Sequence, residues 1–340
     1  MNEIRQWPAA NHKQGQNAWD LLGRLNPNQG NHNQLKVEIE THFQNLFHNP
    51  VILFPSARAG LSNLLRSIGF DRGKTIFITK YSSHCLFTSL GSFTNISTDF
   101  INPDAILVNH KWGFLNSETR AQNSGTITIE DSCDSIIMND ADLFPNNEIA
   151  TVISLPKVIG SISGALLILN SRSTDVLASE EWLRDSTFAN EELGYWQTRE
   201  KIKDLLGRDK QDFSTWLFYE SINTYSTEVD LLDILDKLAY WETNANVIQE
   251  RQASLQNFKG VLIPDDGRLG PVVLLNNSAN FSLSNQDFDQ FIMRKFDVTR
   301  KNDHLQKYTD MLVFPIHADI GDERFFEQQK LIEKLANASN

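Results

Sequence analysis

The chain has 340 residues, which is long enough for one large hydrophobic core and a smaller second domain. It carries 31 Lys and Arg against 43 Asp and Glu, and the net charge of −12 has the wrong sign for binding nucleic acid or an anionic membrane surface. The longest apolar runs, such as residues 165–169, are too short to cross a bilayer, and the first residues lack the apolar core of a signal peptide. We therefore expect a cytoplasmic protein with no nucleic-acid or membrane partner.

The N-terminal part of the sequence predicts an arm, then a strand between two helices. Residues 1–34 are rich in Asn and Gln and lack apolar periodicity, so we expect them to form an N-terminal arm. Apolar residues recur at helical spacing over residues 35–47, and Pro50 ends that helix. A strand over residues 51–54 then leads through a turn of small residues into a second helix, which Gly69 ends.

Further strands follow through the next hundred residues, and several of them are continuously apolar. They are predicted at residues 75–79, 96–101, 105–110, 126–131, 151–155 and 164–169. Buried strands of this kind indicate an α/β protein with three layers and a mostly parallel sheet. Residues 156–163 are too few for a parallel crossover, so we expect the last strand to run antiparallel to the one before it.

The rest of the chain has a different pattern. Residues 171–259 look mainly helical. Two strand-like segments and a final helix are predicted at residues 271–275, at residues 311–316 and from about Asp322. We therefore predict a large α/β domain over residues 35–230 and a smaller C-terminal α+β domain over residues 231–340.

Three strand ends carry residue types that suit chemistry. The turn at Ser56 and Ala57 presents backbone N–H groups at a helix N-terminus, which suits a phosphate or is an ordinary helix cap. Asp131 ends a buried strand, where α/β sheets bind ligands, or else it caps the next segment. Lys157 follows another strand in a stretch poor in charge. Desolvation is expected to lower the pKa of its amine and make it a nucleophile, and the alternative is a surface lysine.

A serine acyl-transfer enzyme is a further hypothesis. Ser154 and Lys157 match the Ser-x-x-Lys pattern of such enzymes. The companion elements Ser-Asp-Asn and Lys-Thr-Gly are missing from the sequence. This hypothesis therefore ranks well behind the reading of Lys157 as a nucleophilic amine.

The cysteines and histidines do not indicate a metal site. Cys85 and Cys133 are too few to form a disulfide framework, which favours a reducing compartment. No two of the eight histidines stand at metal-ligand spacing with acidic residues nearby, so we expect no bound metal. His84 and His110 lie at or just after predicted strand ends, where a histidine serves either a binding site or polar packing.

Five segments together form an ordered pattern along the chain. They are Phe54-Pro55-Ser56-Ala57-Arg58-Ala59, Val108-Asn109-His110-Lys111-Trp112-Gly113, Ile129-Glu130-Asp131-Ser132, Ser154-Leu155-x-Lys157 with Gly164-Ala165, and Leu312-Val313-Phe314-Pro315-Ile316-His317. This order resembles the DegT/StrS-type sugar aminotransferases, which are fold type I pyridoxal-phosphate enzymes. The resemblance extends from about Val51 to the C-terminus. It implies the aspartate-aminotransferase-like fold, the cofactor pyridoxal 5′-phosphate (PLP) and a homodimer with active sites at the subunit interface.

The resemblance assigns roles to the residues that hold the cofactor. It implies that Lys157 forms the Schiff base with PLP and later moves the proton between substrate and cofactor. Asp131 would pair with the pyridine nitrogen and keep it protonated, which makes the ring an electron sink. The phosphate would be bound by Ser56, Ala57 and Ser154.

The same resemblance assigns the remaining pocket residues and the reaction. It implies that the residue stacking on the cofactor ring lies within Tyr81-Ser82-Ser83-His84, where we favour His84 over Ser83. His110 and Trp112 would border the substrate pocket. The implied reaction moves an amino group from glutamate to a keto sugar nucleotide in polysaccharide or amino-sugar biosynthesis. Lys157 favours this reaction over the family's dehydratase branch, which has histidine there.

Three positions depart from the family pattern. Asp134 stands where the family has His or Gln, and Trp196 stands where an Asn reaches the phosphate bound by the partner subunit. Residues 161–164 replace the family's Gly-Glu-Gly-Gly. These changes keep open the hypothesis of a non-catalytic relative that binds PLP or a sugar nucleotide as a sensor or scaffold.

Overall fold

The computed structural model describes residues 32–116, 126–173, 179–187, 225–264, 267–276, 290–298 and 307–338. Most of the predicted arm over residues 1–34, and the departure at Trp196, lie outside the described residues. Within the described ranges, no helix is long and apolar enough to span a membrane.

Helices and strands alternate through the first half of the described chain. The helices are α1 His32–Phe47, α2 Ala57–Ser67, α3 His84–Leu90, α4 Leu155–Val158, α5 Glu180–Thr187, α6 Glu228–Lys237, α7 Tyr240–Leu255 and α8 Asp322–Ala338, with short 3-10 turns at Lys111–Gly113 and Asp140–Asp142. The strands are β1 Val51–Phe54, β2 Thr75–Ile78, β3 Asn95–Ser97, β4 Ala105–Asn109, β5 Ile127–Asp131, β6 Ile136–Ile137, β7 Ala150–Ser154, β8 Ala165–Leu169, β9 Val261–Leu262, β10 Arg268–Leu269, β11 Val272–Asn276, β12 Ile292–Asp297 and β13 Tyr308–Pro315.

A seven-stranded sheet with the order β1-β8-β7-β5-β4-β2-β3 forms the centre of the molecule. β8 pairs antiparallel with both of its neighbours, and the other pairs are parallel. All strands of this sheet except β8 therefore run in one direction. The topology confirms the predicted three-layer, mostly parallel α/β fold and the antiparallel pairing of residues 164–169 with residues 151–155.

Alternating side chains of the central strands pack against helices on both faces of the sheet. In β1, Val51 and Leu53 belong to a core formed with α1, α6, α7 and α8, whereas Ile52 and Phe54 pack against α2 and α3. All four side chains are buried, and each contributes about 1.5–3 kcal/mol relative to an exposed position. This double burial explains why the strands are continuously apolar.

The predicted strand over residues 96–101 is wrong in its extent, because β3 ends at Ser97. The hydroxyl of Ser97 donates to the backbone oxygen of Asp99 at 2.6 Å, and the N–H of Ile101 donates to the same oxygen at 2.9 Å. These local hydrogen bonds form a turn that competes with the sheet. Ile101 is 75% exposed and contributes nothing to the core.

The C-terminal part of the chain forms a second sheet with the order β12-β13-β11-β9, next to α8. One apolar core joins it to the central sheet, and the rings of Phe43 in α1 and Trp241 in α7 meet edge to face at 5.4 Å. The predicted boundary between residues 230 and 231 lies inside α6. The division into two domains over residues 35–230 and 231–340 stays a prediction.

Candidate active site

A cavity of about 560 Å³ lies at the edge of the central sheet where the parallel strands end. Thr79 follows β2, and Asn109, Asp131 and Ser154 end β4, β5 and β7, so four neighbouring strand ends contribute to its wall. Residues of β12 and β13 line the cavity from the C-terminal sheet. This is the position at which open α/β sheets bind ligands.

Backbone hydrogen bonds join the turn at Ser56 to the segment that carries Lys157. The N–H of Gly164 donates to the carbonyl oxygen of Pro55 at 2.9 Å, and the N–H of Leu155 donates to the carbonyl oxygen of Gly164 at 3.1 Å. Gly164 adopts φ +109°, a conformation that favours glycine. The two segments predicted to hold the cofactor therefore meet at this edge, one on each side of β8.

The turn at Ser56 forms the N-terminus of α2. The hydroxyl oxygen of Ser56 accepts from the N–H of Ala59 at 3.2 Å and caps the helix. Ser56, Ala57, Ser154 and Ser163 line the cavity. The hydroxyl of Ser163 is buried and has no hydrogen-bond partner among the described residues. Hydroxyl groups and a helix N-terminus are suited to binding a phosphate group.

Asp131 is a buried carboxylate at the end of β5. Its Oδ2 accepts from the side-chain amide of Asn109 at 2.9 Å, and its Oδ1 accepts from the N–H of Cys133 at 3.2 Å. The residue is 4% exposed, and burial raises its pKa, although the charge of Lys157 partly opposes the rise. A cation placed against this carboxylate would lower the pKa again.

Lys157 forms an ion pair with Asp134. The distance from Nζ to Oδ1 is 2.6 Å, and the two side chains are 31% and 12% exposed. Burial lowers the pKa of the lysine, but Asp134, Cys133 and Asp131 oppose burial more strongly and hold that pKa above its ordinary value. The expectation that desolvation lowers the pKa of Lys157 is therefore wrong, because the sequence does not show which carboxylate faces the amine.

Ser83 and His84 have different positions in the turn after β2. Ser83 lines the cavity, whereas His84 is exposed at the start of α3 and its Nδ1 lies 3.3 Å from the hydroxyl of Thr88. The preference for His84 over Ser83 beside the cofactor ring stays a prediction, and the position of Ser83 in the cavity wall favours Ser83. The helical turn directs the histidine side chain towards Thr88, four residues on.

His110 and Trp112 have different positions although they are close in sequence. Trp112 lines the cavity and its ring stacks on that of Phe296 with a centroid distance of 6.0 Å. His110 is completely buried, and its Nδ1 accepts from the N–H of Asn116 at 2.9 Å. The role of His110 at the border of the substrate pocket stays a prediction, and its ring lies among the buried charges described next.

A buried charge cluster lies next to the cavity and consists of Glu130, Arg268, His110 and Glu148. Arg268 Nη1 lies 2.5 Å from Glu130 Oε1, and His110 Nε2 lies 3.8 Å and 3.7 Å from carboxylate oxygens of Glu130 and Glu148. Burial raises the pKa of Glu130, but Arg268 and His110 more than offset this effect, so the pKa lies below its ordinary value. Strand alternation predicts that Glu130 and Asp131 face opposite ways, whereas no sequence signal identified Arg268.

Sequence reasoning also missed several residues of the cavity wall. They are Lys111, Arg294, Lys295 and Tyr308. The rings of Tyr81 and Tyr308 meet edge to face at 4.5 Å, which joins the turn after β2 to the C-terminal sheet. Lys111 lies in the segment Val108–Gly113 without a role assigned to it, and the residues of β12 and β13 reach the cavity only through the tertiary fold.

The donor set of this cavity fits PLP. It combines an amine that can condense with an aldehyde, a buried carboxylate that can face a pyridine nitrogen, and hydroxyls at a helix N-terminus. In the part of the chain that the structure describes, no group of three or more His, Cys, Asp or Glu residues could hold a metal ion. The fold and the site therefore define an enzyme of the PLP-dependent aminotransferase fold.

Comparison with protein families gives the same class. A sequence model of a PLP-dependent aminotransferase family matches residues 39–337, and the chain belongs to this family. It is therefore a transferase that uses PLP. No curated protein is significantly similar to the chain in sequence.

Three solved structures are similar to this chain. The aminotransferase TlmJ from Streptoalloteichus hindustanus is 13% identical, with 99% of this chain and 100% of that chain covered and a TM-score of 0.62. DesI, crystallised in the presence of its TDP-sugar product, is 14% identical, with coverages of 98% and 94% and a TM-score of 0.58. A DegT DnrJ EryC1 StrS aminotransferase from Brucella abortus is 13% identical, with coverages of 95% and 95% and a TM-score of 0.55. At these identities the similarity shows the shared fold.

Proposed function

We propose that the protein is a DegT/StrS-type sugar aminotransferase that moves an amino group from glutamate to a keto sugar nucleotide in amino-sugar or polysaccharide biosynthesis. The observation that carries the proposal is the meeting of Lys157, Asp134 and Asp131 in one cavity at the carboxyl ends of the parallel strands. The TDP-sugar product of the similar protein DesI supports the substrate class. We propose further that the protein acts in the cytoplasm as a homodimer.

The residues at the sheet edge would hold the cofactor. Ser56 and Ala57, at the N-terminus of α2, would bind the phosphate together with Ser154. When bound, PLP supplies an electron sink for the negative charge that develops at the donor carbon. The buried carboxylate of Asp131 would hold a proton on the pyridine nitrogen, and the side-chain amide of Asn109 fixes that carboxylate in position.

Lys157 and Asp134 would carry out the proton transfer of the reaction. Only the neutral amine of a lysine is a nucleophile or a base, and the ion pair with Asp134 keeps this amine protonated. Asp134 Oδ1, at 2.6 Å, is placed to accept the proton that Lys157 releases. The neutral amine can then take a proton from the donor carbon and deliver it to the cofactor. Lys157 would thus act as a general base and then as a general acid.

The half-reaction with the amino donor tests the proposed function. The PLP-loaded protein should form 2-oxoglutarate from glutamate, and it should then convert a TDP-linked keto sugar to the amino sugar. Lys157→Arg should lose both reactions, because arginine does not become a neutral nucleophile. Lys237→Arg is the matched control, since Lys237 also pairs with an aspartate, Asp233 at 2.8 Å, but does not line the cavity.

Other outcomes would separate the alternatives. A protein that binds PLP covalently but forms no 2-oxoglutarate, and no keto acid from other amino acids, would support the sensor or scaffold hypothesis. Covalent labelling of Ser154 by an acyl-transfer reagent, without any absorption band of bound PLP, would support the serine hypothesis. Equal activity in Lys157→Arg and Lys237→Arg would remove Lys157 from the mechanism.

A further inference from the structure

We propose that Lys111 and Arg294 form a second anion-binding subsite in the cavity, separate from the turn at Ser56, and that it binds the diphosphate of the nucleotide part of the substrate. Both residues line the cavity, but they come from different elements, the turn after β4 and the strand β12. The identity of the ligand rests on the proposed function, whereas the subsite itself rests on the geometry that follows.

The position of the Lys111 ammonium group gives the first argument. Its Nζ lies 4.3 Å from the centroid of the Trp112 ring and donates to the backbone oxygen of Lys295 at 3.3 Å. Neither partner carries a negative charge. Trp112 is held in turn by its stack on Phe296, so the ammonium group has a defined place beside β12.

Arg294 is the second cation that pairs with no carboxylate in the part of the chain that the structure describes. Its Nη1 donates to the backbone oxygen of Met293 at 2.9 Å. Within the described ranges, neither Arg294 nor Lys111 forms a salt bridge with an acidic side chain. The bond from Lys111 to the backbone of Lys295 brings the Lys111 ammonium group against β12, one residue along the strand from Arg294.

The mutual repulsion of these cations supports an anionic ligand. Burial lowers the pKa of Lys111, Asp134 opposes the fall, and the charges of Arg294 and Lys157 lower that pKa further. Two further cations thus act on Lys111 in a cavity of a protein whose net charge is −12. An anion bound between Lys111 and Arg294 would relieve this repulsion.

Lys295 lines the same cavity, but its charge is neutralised. Its Nζ lies 2.6 Å from Asp310 Oδ2, so its charge has a partner within the C-terminal sheet. We therefore leave Lys295 out of the subsite. A diphosphate carries two adjacent negative groups, so it can contact Lys111 and Arg294 at the same time. An amino donor presents only one carboxylate at a given end, which matches the two cations less well.

The frame around the subsite is tightly packed. Gly270, which follows β10, approaches the backbone of Trp112 so closely that a Cβ there would lie 1.8 Å from the Trp112 carbonyl oxygen. On the other side, Arg294 pairs with Met311 in the register of β12 and β13. Both cations therefore stand on ordered elements, so an anion would not have to order a loop in order to bind.

The test measures binding of thymidine 5′-diphosphate to the PLP-loaded protein by calorimetry, which requires no turnover. Lys111→Met and Arg294→Met should each raise the Kd about 10-fold or more, and the double variant should raise it further. Lys111→Arg should recover most of the affinity. Lys330→Met is the matched control, because Lys330 lies over the ring of Phe326 at 4.2 Å and does not line the cavity.

The alternative results separate the subsite from the identity of its ligand and from the proposed function. Thymidine diphosphate that does not bind, or binds equally well to all variants, would exclude the subsite. A raised KM for glutamate with unchanged diphosphate binding would assign the two cations to the amino donor instead. Thermal unfolding of each variant shows whether lost binding follows from lost folding. Failure of amino transfer with cation-dependent diphosphate binding would refute the proposed function and leave the subsite in place.

Discussion

The two carboxylates at the end of β5 have opposite surroundings. Glu130 lies in the buried charge cluster, where Arg268 at 2.5 Å neutralises it and keeps its pKa low. Asp131 lines the cavity, where it accepts hydrogen bonds from the side-chain amide of Asn109 and the backbone N–H of Cys133, and burial raises its pKa. One strand thus carries a carboxylate that forms a buried ion pair and another whose pKa stays raised although the charge of Lys157 partly opposes the rise.

This difference distinguishes a structural charge from a binding charge. A buried ion pair with several hydrogen bonds fixes the fold, and loss of one partner leaves an uncompensated charge. A buried carboxylate with a raised pKa in a cavity is a candidate for ligand contact. Substitutions in the cluster should therefore change stability, and substitutions in the cavity should change chemistry.

The largest expected effect is on the cavity side. Lys157→Arg should reduce amino transfer about 10³-fold or more, because the guanidinium does not supply a neutral amine. The free energy of unfolding should change little, since arginine can keep the ion pair with Asp134. Steady-state kinetics and denaturant titration measure the two quantities. A large loss of stability in this variant would contradict the expectation that cavity substitutions change chemistry and not stability.

On the cluster side, Arg268→Met should lower the free energy of unfolding by about 3–5 kcal/mol, because Glu130 would stay buried without its cation. Urea denaturation measures the loss. Adding Glu130→Gln to Arg268→Met should restore part of the stability, since residue 130 then no longer carries a buried charge without its cation.

The same pair gives a pH dependence with a definite sign. The folded state lowers the pKa of Glu130 below its ordinary value of 4.5. Its contribution to stability is therefore complete above pH 4.5 and is lost as the pH falls towards the lower, folded-state pKa. The single variant Glu130→Gln should show a weaker loss of stability below pH 4.5 than the unmodified protein.

Asp131→Asn tests the neighbouring carboxylate. We expect the variant to bind PLP but to lose about 10²-fold in the half-reaction with glutamate, because a neutral amide does not hold the pyridine nitrogen protonated. Its free energy of unfolding near pH 7 should be unchanged or higher, since the buried charge with a raised pKa is removed. An unchanged rate would make Asp131 a structural residue like Glu130.

The smallest effect concerns Asp134. Asp134→Asn removes the carboxylate 2.6 Å from Lys157, so the pKa of that lysine should fall. The neutral amine then forms at lower pH, and the pH midpoint for covalent loading with PLP should move down by about one unit or more. Stopped-flow absorbance at several pH values measures this shift. A midpoint that moves up, or does not move, would contradict a role for Asp134 in controlling the amine.

Strand ends made much of the site predictable from sequence. The continuously apolar runs indicated a parallel sheet, and its carboxyl edge brings Asp131, Ser154 and Lys157 to one cavity. The spacing of residues 156–163 was enough to predict the direction of β8. These inferences succeeded because they depend on local pattern and on the geometry of sheets.

Other features depend on contacts between distant segments and were beyond the sequence. Arg268 reaches the cluster because β10 pairs with β6, and Arg294 reaches the cavity from β12 of the C-terminal sheet. The orientation of Asp134 towards Lys157 reversed the expected pKa shift. His84 and His110 were expected in the site from their distance to strand ends, which does not show the direction in which a side chain points.

Gly164 fixes a distance that the chemistry needs. Its two backbone hydrogen bonds join Pro55 and Leu155, and a Cβ at this position would come within 2.7 Å of Ile234 Cδ1. The spacing between the proposed phosphate site at Ser56 and the amine of Lys157 is therefore set by main-chain geometry. Side chains elsewhere in the cavity can change to suit another substrate without altering that spacing, so specificity can diverge while the place of the cofactor is kept.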